Sequence, residues 1–180
     1  MHLREEILKE NSRAQTLRIA HWVGKDPERT AALAHLFLHD EYRVVQRAAW
    51  ILSYVASSHP SLLQPHLPQM VARMGDPGIP VAVKRNVVRI LQFMTVPEAL
   101  QGPVMDYCFR FLEDPAETIA VRAFSMTVLA NLAQQYPDIR HEIILLIEEQ
   151  LREGASPGFR SRAKKTLAQL EKLGKKERRH

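Results

Sequence analysis

Residues 117–137 read "ETIAVRAFSMTVLANLAQQYP". Val121, Ser125, Leu129 and Leu132 fall at offsets of 0, 4, 8 and 11 within this run, which places them on one face of a helix. The same frame recurs along the chain. "YRVVQRAAWILSYVASSHP" supplies Val44, Ala48, Leu52 and Val55; "VAVKRNVVRILQFM" supplies Val83, Val87, Leu91 and Met94. "GFRSRAKKTLAQL" supplies Phe159, Ala163, Leu167 and Leu170. In "NSRAQTLRIAHWV" the frame holds Asn11, Gln15, Ile19 and Trp22, polar at its first two positions. The third-position residues are Ile19, Leu52, Leu91, Leu129 and Leu167, spaced by 33, 39, 38 and 38.

Between these helices lies a second set: "HLREEILKE", "PERTAALAHLFLH", "SLLQPHLPQMVARMG", "PEALQGPVMDYCFRFLED" and "PDIRHEIILLIEEQLREG". Several boundaries carry helix punctuation, namely Asp26-Pro27, Asp76-Pro77-Gly78, Asp114-Pro115, Gly154 and Pro157-Gly158. Asp suits a helix N-cap and Pro the first turn. The pattern predicts an all-α chain of about five antiparallel helix pairs with a period near 38 and no strand. Paired helices at such a period are the mark of an α-solenoid. Residues 1–173 are expected to form one solenoid domain, and 174–180 a basic tail, frayed at "KKERRH".

The repeat resembles a known family. Val121-Arg122, with small residues near +3 and Leu at +7, is similar to the second helix of a HEAT repeat. Val83-Lys84 with Leu91, and Phe159-Arg160 with Leu167, follow it; Val44-Val45 with Ala48, Ala49 and Leu52 lacks only the basic residue. The likeness extends over roughly residues 2–173. "AVRAFSMTVLANL" and "GFRSRAKKTLAQLEK" also resemble short bacterial HEAT-like proteins. The Gly-Ser-Ser loop that a lyase of the adenylosuccinate type needs is absent from the sequence.

The charges segregate with helix class. The second helices, taken as 11–23, 41–57, 79–94, 115–134 and 157–170, hold twelve basic residues against two acidic ones. The first helices with their caps, 1–10, 27–40, 61–76, 97–114 and 137–153, hold seven basic and fifteen acidic residues. In HEAT solenoids the second helices line the concave side, so the resemblance implies a basic inner surface. The binding residues expected there are Arg43, Arg47, Arg85, Arg89, Arg122 and Arg162, with Trp50 and Tyr54 as aromatic anchors. Lys84, Arg122 and Arg160 occupy the motif's basic position, where such residues often bond a neighbouring repeat instead. Solvated helix faces are the plain alternative for the others. The partner expected is an acidic protein segment, held by charge-assisted hydrogen bonds. The alternative is nucleic acid on the same face, with a remote likeness to HEAT-like alkylpurine DNA glycosylases that use a Trp-lined basic groove. No Asp on the second helices can be paired with Trp50 for such chemistry.

Motifs for catalysis are missing: there is no P-loop, GxGxxG, CxxC or GxSxG. His35 and His39 stand at i, i+4, but "HLFLH" lacks the Glu of HExxH and a third ligand. Cys108, in the apolar run "VMDYCFRF", reads as a small core hydrophobe rather than a nucleophile. The protein is therefore expected to be a non-catalytic interaction scaffold with no cofactor and no metal. A single cysteine cannot form an internal disulfide, which suits a reducing compartment. The start "MHLREEILKE" has no apolar core of a secretory signal, and the longest strongly apolar run, "IILLI", is too short to cross a bilayer. A cytoplasmic monomer away from membranes is expected.

Overall fold

The computed structural model describes residues 1–177. The chain divides into two compact units, Met1–Val96 and Pro97–His180. The described residues contain ten α-helices, three short 3-10 turns and no strand.

The first unit holds α1 (Leu3–Lys9), α2 (Arg13–Val23), α3 (Pro27–His39), α4 (Tyr42–Ser58), α5 (Leu67–Arg73) and α6 (Val81–Leu91). Its centre is α4, which packs on α1, α2, α3 and α6. The frame read from the sequence is what α4 buries: Val44, Ala48, Leu52 and Val55 are all in the core. In α6 the frame residues Val83, Val87 and Leu91 are likewise buried, and Met94 follows just past its end. The second unit holds α7 (Glu98–Glu113), α8 (Ile119–Leu132), α9 (Arg140–Arg152) and α10 (Pro157–Glu177). Here α8 is central, packing on α7, α9 and α10. Val121, Ser125, Leu129 and Leu132 are buried, as are Phe159, Ala163 and Leu170 of α10. Leu167 is only half-buried. These ten helices are the five pairs that the period of 38 predicts.

Local chemistry sets the helix ends. Ser12 caps α2 by accepting from the Gln15 N–H at 3.0 Å. Asp26 caps α3 by accepting from the N–H groups of Glu28 and Arg29, with Pro27 in the first turn. Thr118 caps α8 and Ser156 opens α10, donors being Val121 N–H and Phe159 N–H. Asp114 does not cap a helix: its carboxylate accepts from Ala116 N–H within the turn after α7, and α8 starts later, at Ile119. The first helix of the third pair is shorter than 61–76, because Pro65 and Pro68 each remove a backbone donor. Two 3-10 turns, Pro60–Leu62 and Gln64–His66, fill the gap, and α5 begins where Pro68 falls in its first turn. At the C-terminal end α10 continues to Glu177, so residues 174–177 of the expected tail are helical. Residues 178–180 lie outside the described residues.

Candidate functional site

In the first unit, the face of α4 opposite its buried stripe carries Arg43, Gln46, Arg47, Trp50 and Tyr54. These recur at helical spacing, because the frame that buries Val44, Ala48, Leu52 and Val55 turns them outward. Trp50 is 51 % exposed, unusual for an indole of that size, and Tyr42 at the helix start is 64 % exposed. On α6 the same logic leaves Arg85 and Arg89 half-buried, one turn apart.

The two helices meet through these side chains. Arg89 lies over the Trp50 ring, its guanidinium carbon 4.3 Å from the centroid. Arg85 Nη2 reaches Gln46 Oε1 at 3.5 Å, and the Gln46 amide in turn bonds the Tyr42 hydroxyl. Burial and the like charge of Arg85 lower the pKa of Arg89, while Tyr54 works in the opposite direction. A desolvated cation beside a second cation gains from an added anion. Arg47 is engaged differently: its Nη1 donates to the carbonyls of Ile7 and Leu8 at 3.0 and 2.8 Å. Those carbonyls belong to the last turn of α1, where helical acceptors lack partners. Arg43 is exposed. Among the described residues, no carboxylate forms an ion pair with Arg43, Arg47, Arg85 or Arg89.

A hollow of about 450 Å³ opens here, lined by Asn11, Tyr42, Arg43, Gln46, Arg47 and Trp50. It falls within the size range of ligand sites and has no acidic residue in its wall. Asn11 and Arg13, also at the α2 end of this surface, were not among the expected binding residues. For Asn11 the signal in the sequence is the polar start of the α2 frame, where the other second helices place apolar residues; Arg13 lies outside that frame.

Arg122 and Arg162 belong to the second unit. The Arg122 guanidinium bonds Gln150 Oε1 and lies 5.2 Å from the Phe159 ring centroid. Gln150 continues the chain by donating to the Leu112 carbonyl, so the group ties α7, α8, α9 and α10 together. Arg162 donates to Thr127 Oγ1 at 2.8 Å and sits 5.7 Å from the Phe124 ring. The six expected arginines thus divide into four on α4 and α6 of the first unit and two within the other unit.

The remaining reactive side chains are quiet. Cys108 is fully buried, and desolvation pushes its thiol up to about 12, against a small opposing effect of Ser125. The His35 and His39 rings are 4.9 Å apart, and the Gln69 amide nitrogen lies 3.3 Å from His39 Nε2. Burial, then the nearby charges of His35 and Arg73, lower the pKa of His39. Among the described residues, no group of three His, Cys, Asp or Glu could hold a metal ion. No described helix is long and apolar enough to cross a membrane.

A family model described as a HEAT repeat domain matches residues 3–170. No curated protein and no solved structure matches the chain.

Proposed function

The chain belongs to the HEAT repeat family, and on that premise we propose that its first unit is a non-catalytic docking module for an acidic protein segment. HEAT repeats are commonly protein-interaction scaffolds and typically non-catalytic. The observation that carries the proposal is exposed Trp50 beneath Arg89, with Arg43 in the same hollow and Arg85 reaching the hollow's Gln46, and no carboxylate paired to any of the three among the described residues. Cations that neighbouring acids neutralise have little to offer a ligand. Cations left together on a surface repel one another until an anion arrives. Arg43 and Arg85 supply charge-assisted hydrogen bonds, and Trp50 with Tyr54 supplies the apolar contact. Arg47 lines the same hollow but serves α1 as well. Arg122 and Arg162 are left out of this core set, because their guanidinium groups already serve the packing of the second unit. The module works as a monomer in a reducing cytoplasm.

Fluorescence anisotropy with a labelled acidic peptide, at two salt concentrations, tests the reading. Binding should weaken as salt rises. The double variant Arg43→Glu/Arg85→Glu should lose at least tenfold in affinity, since each charged hydrogen bond contributes about 1.5–3 kcal/mol. Single-stranded DNA or RNA of equal charge should bind more weakly than the peptide at either salt. Tighter binding of nucleic acid would hand the surface to that class, and no peptide binding at low salt would end the proposal.

A further inference from the structure

Three hollows lie end to end along the seam between α2 and α4. Asn11 and Trp50 line both the first, of about 450 Å³, and the second, of about 270 Å³. Tyr54 lines both the second and the third, of about 150 Å³. With Asn11, Trp50 and Tyr54 as shared walls, the three form one row, a stepped groove. The first hollow draws on the starts of both helices and the third on their ends, so α2 and α4 run parallel along it. From Arg43 to Ser58 the groove follows α4 for about 22 Å, at about 1.5 Å per residue. An extended chain covers that length in about seven residues.

The lining changes character from one end to the other. At the start stand Arg43 and Arg47 with the amide of Gln46. In the middle Arg13 faces Trp50 and Tyr54. Beyond Tyr54 no Lys or Arg lines the groove: its wall is built from Leu17, Ala20, Gly24 and Val55 together with His21, Ser58 and His59, more apolar than polar. A space of about 150 Å³ accommodates a group the size of benzene. The far hollow is thus matched to one medium apolar side chain.

We propose that the groove recognises a segment by the order of its chemistry: about seven extended residues with an acidic block over Arg43 and Arg13 and one apolar side chain in the Leu17–Ala20–Val55 hollow. The inference rests on the docking function proposed above and specifies its ligand. A graded groove suits a peptide better than a nucleic acid. A strand carries a phosphate at every step and needs cations along its whole length. Here the guanidinium groups stop at mid-groove. A carboxylate placed in this end exchanges the guanidinium partners of the other end for Ser58 and two imidazoles in a mostly apolar wall, a less favourable setting for a charge. That cost is what distinguishes an ordered segment from any acidic one.

Two labelled heptapeptides of identical composition test this on the full-length chain. One places three Asp/Glu at one end, an aromatic residue in the middle and Leu at the other end. Its control places the acids at both ends with Leu in the middle, so that no docking direction satisfies both halves of the groove. The ordered peptide should bind at least tenfold more tightly. Ala20→Glu, on a half-exposed position, should remove most of that preference while leaving the salt dependence in place. Equal affinity for the two peptides, still lost in Arg43→Glu/Arg85→Glu, overturns the ordered recognition and leaves the docking function standing. If neither peptide binds at low salt, both fall. A seven-nucleotide strand that outcompetes the ordered peptide also removes both.

Discussion

Arg43 and Arg47 stand one turn apart on α4 with the same side chain and do different work. Arg47 holds the final carbonyls of α1, where the negative end of the helix dipole collects. Replacing it with Ala leaves those acceptors short of a partner, and the expected cost is about 1–3 kcal/mol. A urea titration should show the midpoint fall for Arg47→Ala and stay within about 0.5 kcal/mol of the parent for Arg43→Ala, a surface change. Anisotropy against an acidic peptide should show Arg43→Ala weakened. Indistinguishable urea midpoints would mean that the Arg47 bonds contribute nothing. The sequence could not separate this pair, because the partners of Arg47 lie 40 and 39 residues away. Arg122 was open to a structural role from its motif position, but its acceptor, Gln150, lies 28 residues away in sequence. Cys108 was readable, since its neighbours are apolar on both sides. Burial pushes its thiol from the ordinary value of about 9 up to about 12. A group whose pKa is raised by folding stabilises the fold below the unfolded value and loses that contribution as pH climbs through the folded one. Stability should therefore decline between pH 9 and 12, and less steeply in Cys108→Ala. A thiol reagent at pH 8 should leave folded protein unlabelled and label it in urea; prompt labelling without urea would contradict the burial.

At the scale of elements, α1 shows how a short helix is tethered. Seven residues form a marginal helix alone. Three ties fix it: Arg47 at its end, Glu6 accepting from Gln15 and Arg18, and Arg4 donating to Asp40 on the following pair. The Gln15 amide, then Arg18, hold the Glu6 carboxyl below its usual range, and Arg4 does the same for Asp40. Carboxyls depressed by folding stabilise above their unfolded pKa, about 4, and that stabilisation disappears as pH falls through the lowered values. Acidification from pH 5 to pH 2 should therefore release α1 first. Hydrogen-exchange protection, taken relative to the slower intrinsic exchange in acid, should be lost at its amides before those of α8, and a uniform response across the chain would refute the assignment. The helices themselves were legible because a buried stripe must repeat every three or four residues, whatever it packs against. The small second-position residue in α4, Ala48, is the tightest expression of that rule. It is fully buried in a helix that packs on four others. Ala48→Leu should cost about 1–3 kcal/mol by overpacking, measured as a lower unfolding midpoint. What the period could not supply was where each helix stops. Pro65 and Pro68 converted half of an expected helix into turns, and Asp114-Pro115 made a turn where the same dipeptide at Asp26-Pro27 made a cap.

For the molecule as a whole, the repeat period and the division into units point in different directions. Spacings of 39, 38 and 38 between Leu52, Leu91, Leu129 and Leu167 carry no break near residue 96, so the sequence reads as one domain. Backbone packing nevertheless separates Met1–Val96 from Pro97–His180, with α4 central to one and α8 to the other. Periodicity records that each repeat is built alike; it does not record how strongly successive repeats hold one another. In a stack whose stability is a sum of repeat and neighbour terms, that second quantity decides whether the chain unfolds at once. We propose that residues 1–173 unfold as a single cooperative domain. Calorimetry gives a direct reading. At about 0.7 kcal/mol per residue near 60 °C, a single transition carries an enthalpy of about 120 kcal/mol, equal by integration and by van't Hoff analysis. Two independent units would yield van't Hoff enthalpies of roughly half that, beneath the same integrated area. A fragment of residues 1–96 sharpens the choice. If it melts at the temperature of the full chain, the units are independent, the domain boundary lies at Val96, and the peptide-binding groove should survive intact in the fragment. If the fragment melts well below the full chain, the neighbour terms are large, and the groove between α2 and α4 depends for its stability on repeats that contribute nothing to its lining.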